Sequence, residues 1–263
     1  MDRCGPPRRT DTVEEVLDAL ARDGFVVLPR ALSPESVAAL TEATDRVWEL
    51  RRGAAQDSLH ELGFVRHDER FVELVDHPLV LPVVLRLLGW NIYLYHCHLD
   101  VHPPRLEAPR WRWHQDGGRQ NVDVESRRPL FSVKAGWFLT DVTTPEHGAL
   151  WIIPGSHVHD SLARPADGGF TPPGAEPLLV EAGSLVLFDR RLWHARGDNT
   201  SEVVRKALFY AYSYRWVRTR DLSDLPLWPS EQSDPVRRQL LGGAASPLGH
   251  WLPTDDEVPL RMR

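Results

Sequence analysis

The run Ser184-Leu185-Val186-Leu187-Phe188, followed by Leu192-Trp193-His194 and then by Val203-Val204-Arg205-Lys206-Ala207-Leu208-Phe209, decides how this chain is read. Both apolar runs are short, and the second is rich in β-branched and aromatic residues. Gly, Asp and Asn punctuate the sequence around them, which marks strands and not helices. Working outward, runs of the same kind occupy residues 92–101, 131–142, 149–153 and 178–181, and the last quoted run extends over 203–216. Such a succession predicts a mainly antiparallel β-sandwich or barrel.

Ahead of these strands the periodicity is helical. Residues 11–23 place Val13, Val16, Leu17 and Leu20 on one helix face, closed by Gly24. Phe25 to Leu28 reads as a strand. Ser33-Pro34 opens a helix carrying Val37, Leu40 and Val47. A further helical stretch over about 69–88 is broken near Pro78 and Pro82 and ends at Gly89. These helices are expected outside the β unit. Segments 102–112 and 164–177 read as loops, and the proline-rich tail from Leu222 is expected to wrap the domain or cover the site. With no repeat or boundary in view, residues 1–263 are read as one domain.

Hydrophobic residues make up 42% and charged residues 26% of the chain, an ordinary globular balance. A formal charge of −6 gives no electrostatic case for nucleic acid or an anionic membrane as partner. Two cysteines, Cys4 and Cys97, are too few for a disulfide framework or a thiolate cluster. Met1 to Arg9 is polar, and no apolar run is long enough to span a bilayer, so a cytoplasmic location is expected. The basic residues are almost all arginine, Lys134 and Lys206 being the two lysines, which fits a GC-rich bacterial genome.

The segment Trp113-His114-Gln115-Asp116-Gly117-Gly118 contains a His-x-Asp pair. On a strand, residues two apart project to one face, so His114 and Asp116 can grip one ion. His194 is the best third ligand. Two imidazoles and a carboxylate on one face of an ion, with positions left open, suit Fe(II) and O2. A lone His-x-Asp arises readily by chance; what lifts this one is Arg205, eleven positions after His194, placed to hold the distal carboxylate of a keto acid. His60, His67, His77, His147, His157, His159 and His250 are read as surface or structural.

His114-x-Asp116, His194 and Arg205 together resemble the iron and 2-oxoglutarate signature of the phytanoyl-CoA dioxygenase family. Gly148-Ala149-Leu150-Trp151-Ile152-Ile153-Pro154-Gly155-Ser156-His157 resembles that family's strand and Pro-Gly-Ser-His turn, and Asp23-Gly24-Phe25-Val26-Val27-Leu28 its N-terminal order. The similarity covers roughly residues 12–217; residues 218–263 lie beyond it as a C-terminal extension. The resemblance implies a double-stranded β-helix (a cupin-like jelly-roll) with flanking helices. It implies that His114, Asp116 and His194 bind Fe(II), that Arg205 binds the co-substrate 2-oxoglutarate, and that Trp137 and His98 line the co-substrate pocket. For Trp137 and His98 an ordinary core aromatic and a satisfied strand histidine remain equal alternatives. Many members of the family carry a hydroxyl two residues after the arginine, where this chain has Ala207. Related halogenases have a small residue in place of the acid, so Asp116 implies oxygenation.

The expected function is therefore an Fe(II)/2-oxoglutarate-dependent dioxygenase that oxidises a C–H bond of a small molecule. Hydroxylation is the default; desaturation, epimerisation or oxidative cyclisation share its chemistry. A bacterial natural-product tailoring role is the favoured setting. Two alternatives stay open: a metal-dependent hydrolase or isomerase using the same ligands around Zn(II), and a non-catalytic jelly-roll binding protein with a vestigial site. Trp111, Trp113, Trp151 and Trp216 could face a substrate, with Arg119, Gln120 and Arg215 adding polar contacts, although plain packing is favoured for most. Oligomeric state is not readable.

Overall fold

The structure, a computed structural model, describes residues 12–51, 58–105, 110–117, 128–221, 234–243 and 247–262. Helix α1 (Val13–Asp23) starts at Thr12, whose hydroxyl accepts the Glu15 N–H while the Glu15 carboxylate accepts the Thr12 N–H, a capping box. It ends at Gly24, whose φ of 80° only glycine adopts without strain. Strand β1 (Phe25–Leu28) follows, then α2 (Pro34–Arg51), β2 (Leu59–Leu62), α3 (Glu69–Val72) and α4 (Leu81–Leu88). Of the two prolines expected to break this stretch, Pro78 lies between α3 and α4, while Pro82 sits in the first turn of α4, where proline is tolerated. Next come β3 (Ile92–His102), β4 (Ser132–Phe138), β5 (Leu150–Ile152), β6 (Glu176–Leu178), β7 (Leu185–Asp189), β8 (His194–Arg196) and β9 (Arg205–Tyr214), and finally α5 (Pro235–Leu240). Short strands β2 and β8 were not read from the sequence, and β6 begins at Glu176, inside the segment read as a loop over 164–177.

The strands form two antiparallel sheets, ordered β1-β7-β4-β9-β3-β2 and β6-β5-β8. They face each other as a jelly-roll. Between them Phe138, Val186, Phe188 and Phe209 pack against Leu150, Ile152 and Leu178. On the outer face of the larger sheet Trp137, Leu185, Leu187, Leu208, Tyr210 and Tyr212 meet the helices through Leu20, Phe71, Val75 and Val84. Each such side chain taken fully out of water contributes roughly 1.5–3 kcal/mol. The Tyr210 hydroxyl donates to the Phe71 carbonyl and the Tyr212 hydroxyl to that of Val75, each at 2.8 Å, which pins the helical layer to β9. Because β4, β7 and β9 are buried on both faces, side-chain parity decides which core each residue joins. No helix among the described residues is long and apolar enough to cross a membrane.

Candidate metal centre

His114 and His194 are neighbours because their backbones pair. Each N–H donates to the other's carbonyl at 3.0 Å, which sets the rings side by side with centroids 4.3 Å apart. Asp116 comes two residues later, its N–H donating to the Arg190 carbonyl at 2.8 Å. Its Oδ1 lies 4.0 Å from His114 Nε2 and 3.9 Å from His194 Nε2. Both gaps are shorter than two metal–ligand bonds of about 2.1 Å, so one ion can touch both atoms of either pair. The three ligand atoms all fall within 4.8 Å of one another.

Local hydrogen bonds prepare these groups as ligands. His114 Nδ1 lies 2.8 Å from the Arg112 carbonyl, and His194 Nδ1 lies 2.8 Å from that of Leu192. A carbonyl only accepts, so both Nδ1 atoms carry the hydrogen and both Nε2 lone pairs are free for a metal. Burial, with His114 alongside, pushes the His194 imidazole down to about 3, which keeps it neutral. Burial acts to raise the Asp116 carboxyl, but Lys134, His194 and His114 outweigh it and hold it well below the usual carboxylate range. The Lys134 ammonium sits 2.7 Å from Asp116 Oδ2.

The Pro154-Gly155-Ser156-His157 turn buttresses this centre. Ser156 Oγ accepts the N–H of Trp193, the residue before His194, at 3.0 Å. The turn is held in its own place against Gly24, where an added Cβ would come within 2.6 Å of His157 Nδ1. His157, read as surface or structural, is buried and lies 3.2 Å from the Ala21 carbonyl through Nε2. The two family-like segments, distant in sequence, are thus one packing unit.

A cavity of about 330 Å³ opens beside the triad, walled by Leu150, Phe188 and Phe209 and entered by Lys134, His98 and Arg205. Arg205, the first residue of β9, is 2% exposed. Its guanidinium lies over the Phe138 ring at 5.6 Å, yet Nε and Nη1 have no hydrogen-bond partner. Leaving a buried donor unsatisfied costs about 1–3 kcal/mol, more for a charged one, so this arginine is built for an anion. Opposite it on β3 stands His102, and opposite Ala207 stands Asp100. The donor set of the triad suits a divalent ion with open positions, and the orphaned guanidinium suits a carboxylate held beside it.

Not every anticipated residue reaches this cavity. His98 does, stacked on Phe209 with centroids 4.7 Å apart. Trp137 does not: it has the parity of Val133 and Ala135, lies in the helix-side core and packs edge-on against His77 at 4.7 Å. Lys134 and Phe138, of opposite parity on the same strand, face inward instead. Arg215 and Trp216 line a different cavity altogether. Trp113 is buried with its indole N–H on the Phe170 carbonyl at 2.9 Å. Arg119 and Gln120 lie outside the described residues, as does much of the tail.

Groups that the sequence did not mark lie in the cavity wall and behind it. Asp221 Oδ2 accepts the N–H groups of Gly63 and Cys97 at 3.0 Å, and its Oδ1 lies 2.9 Å from His96 Nδ1. The carboxylate accepts the hydrogen bond that His96 Nδ1–H donates, so His96 Nε2 accepts from His98 Nδ1 at 3.0 Å, and the His98 Nε2 lone pair is left for the cavity. His60, read as surface or structural, lines the same cavity and lies 2.7 Å from Asp100 Oδ1 through Nδ1. One signal was available: His96, His98, Asp100 and His102 alternate with Cys97, Leu99 and Val101, which is a strand with one polar face turned inward.

Comparison with known proteins agrees with this architecture. Residues 20–207 match the family model described as phytanoyl-CoA dioxygenase. An uncharacterized protein of Mycobacterium tuberculosis is 30% identical, over 77% of this chain and 76% of its own length. A dioxygenase of Aspergillus fumigatus, af480, is 27% identical over 94% of this chain and 81% of that protein. HygX of Streptomyces hygroscopicus, solved with nickel and 2-oxoglutarate bound, superposes with a TM-score of 0.63 at 18% identity, over 78% of this chain and 88% of that one. At that identity the last likeness is one of fold.

Proposed function

The chain belongs to the phytanoyl-CoA dioxygenase family, and from that premise we propose an Fe(II)- and 2-oxoglutarate-dependent dioxygenase in which His114, Asp116 and His194 hold the iron and Arg205 holds the distal carboxylate of the keto acid. The observation that carries this reading is the buried Arg205, with two orphaned guanidinium nitrogens, in the same cavity as the triad. Once bound, iron and keto acid supply oxidation of a substrate C–H bond by O2, with succinate and CO2 as co-products.

The protein's share is positioning and electrostatics. The carbonyls of Arg112 and Leu192 keep both imidazoles in the ligating tautomer. Lys134 keeps Asp116 ionised and draws Oδ2 away, so that Oδ1 faces the metal position. Arg205 sets the length and direction of the co-substrate, and a keto acid fits where a monocarboxylate leaves the guanidinium unmet. Phe188, Phe209 and Leu150 exclude water from the reacting face. The substrate is a small molecule admitted through the same cavity, with hydroxylation as the default outcome and a biosynthetic tailoring reaction as the setting.

The test is spectroscopic and needs no substrate. Fe(II) and then 2-oxoglutarate are added anaerobically to the full chain, and the weak visible charge-transfer band of an iron-chelated keto acid is sought. It is expected in wild type and absent in His114→Ala and His194→Ala. Metal binding without the band would overturn the reading and favour a hydrolytic or vestigial centre.

A further inference from the structure

The second cavity, at the far end of β9, contains its own unanswered charge. Arg215 follows the strand directly and is 2% exposed. Its Nη2 donates to the Gly243 carbonyl at 3.0 Å, but Nε and Nη1 have no partner. His250 Nδ1, also buried, has none either. Both residues line a cavity of about 330 Å³ together with Tyr93, Leu241, Trp216 and Trp251. That volume lies at the small end of the range for small-molecule sites.

The wall is aromatic and open. Trp216 is 39% exposed and Trp251 64%, with ring centroids 6.0 Å apart and planes 28° from parallel. Tyr214 also stacks on Trp216, with centroids 5.1 Å apart. Among the described residues no carboxylate lines the cavity, while Arg218 adds a second guanidinium. Glu257, the carboxylate that acts on Arg215 from nearby, is engaged by the N–H and hydroxyl of Thr254 at 2.9 and 3.2 Å.

This place is separate from the triad. The two cavities share no lining residue. Phe209 is the last residue of β9 to touch the first, and Arg215 lies six positions on, about 20 Å along a strand rising roughly 3.3 Å per residue. The two linings come nearest in sequence at Thr219, in the second, and Arg220, in the first.

We propose that the Arg215, His250, Trp216 and Trp251 cavity is a second ligand site, for a small flat aromatic carboxylate. The carboxylate meets an unpartnered N–H of Arg215 together with His250 Nδ1, and the ring lies against the exposed Trp251 indole. A neutral ring would leave the guanidinium unmet; an aliphatic anion would leave the indoles wet.

The probe is 1-naphthoate, with 1-naphthalenemethanol as its uncharged counterpart, titrated into the full chain while tryptophan fluorescence is followed. Binding of 1-naphthoate should be saturable and stronger than that of the alcohol. It should weaken about tenfold or more in Arg215→Met, as loss of hydrogen bonds to a charged group implies. It should also weaken in Trp251→Ala, whose exposed side chain is not needed for folding, and stay unchanged in Arg205→Met. The same affinity in wild type, Arg215→Met and Trp251→Ala would overturn the proposal. So would a loss confined to Arg205→Met, which would place the acid in the metal-side cavity.

Discussion

Lys134 Nζ lies 2.7 Å from Asp116 Oδ2, the carboxylate oxygen that faces away from His114 and His194. Both groups are largely buried, with side-chain exposures of 7% and 16%, and the ammonium stands above the rings of Phe188 and Phe209. One carboxylate thus serves a cation on each side, a fixed ammonium and a metal position.

Removing that ammonium should trade stability against metal dependence. Breaking one half of a buried pair costs about 3–5 kcal/mol, because the remaining charge is uncompensated. Lys134→Met should therefore melt well below wild type when metal-free. It should recover more on adding Mn(II) than wild type does, since the divalent ion then neutralises Asp116 alone. Thermal melts with and without Mn(II) measure both effects, and an equal gain in the two proteins would sink this account.

Arg205 should govern the co-substrate and leave the metal alone. Arg205→Ala is expected to raise the 2-oxoglutarate concentration needed for the charge-transfer band by about tenfold to a hundredfold, the value of its charge-assisted hydrogen bonds. Fe(II) affinity measured without keto acid should stay within a factor of about two, since the triad does not touch the guanidinium. Arg205→Lys should restore only part of the loss, because a point charge lacks the planar fork. An undisturbed band in Arg205→Ala would return the arginine to a purely structural role.

Ser156 should matter to His194 without touching it. Ser156→Ala removes the acceptor of the partly buried Trp193 N–H, which should cost about 1 kcal/mol. Because Trp193 precedes His194, metal affinity should fall several-fold while 2-oxoglutarate binding to the metal-loaded protein changes little. Calorimetric titration with Mn(II) separates the two. A stability loss with unchanged metal affinity would mean that the turn only supports the fold.

Acid should destabilise the metal-free protein well before its carboxylates titrate. Burial holds the imidazoles of His77, His96, His98 and His102 below their ordinary value of 6.5. In the unfolded chain they take up protons below 6.5 and in the folded chain they resist, so the unfolded state binds more protons there. Stability is then full above 6.5 and falls as pH drops below it, by up to about 1.4 kcal/mol per group for each pH unit. Urea midpoints at pH 7.5 and 5.5 should show the fall; equal midpoints would mean that these rings are already protonated or solvated in the native state.

The amino-acid sequence alone determined the local parts of this protein: the helix caps, the long strands, the His114-x-Asp116 grip and the register that sets Arg205 after His194. The caps and strands rest on spacings of a few residues, which backbone geometry converts directly into a shared face; His194 and Arg205 stand on strands of different sheets, eleven positions apart. Tertiary structure decided the rest. Trp137 sits on β4, where Ser132-Val133-Lys134-Ala135 alternates and puts Trp137 on the apolar parity, but with every residue buried only the fold shows that this parity meets the helices. His60 reaches the cavity because β2 pairs with β3, and Asp221 reaches His96 in the cavity wall because it caps the Gly63 and Cys97 amides, contacts between residues far apart in the chain. Arg205 and Arg215 look alike as strand arginines. Ten residues of extended backbone, roughly 33 Å, carry them to different cavities, a separation that exists only once the strand is folded into its sheet.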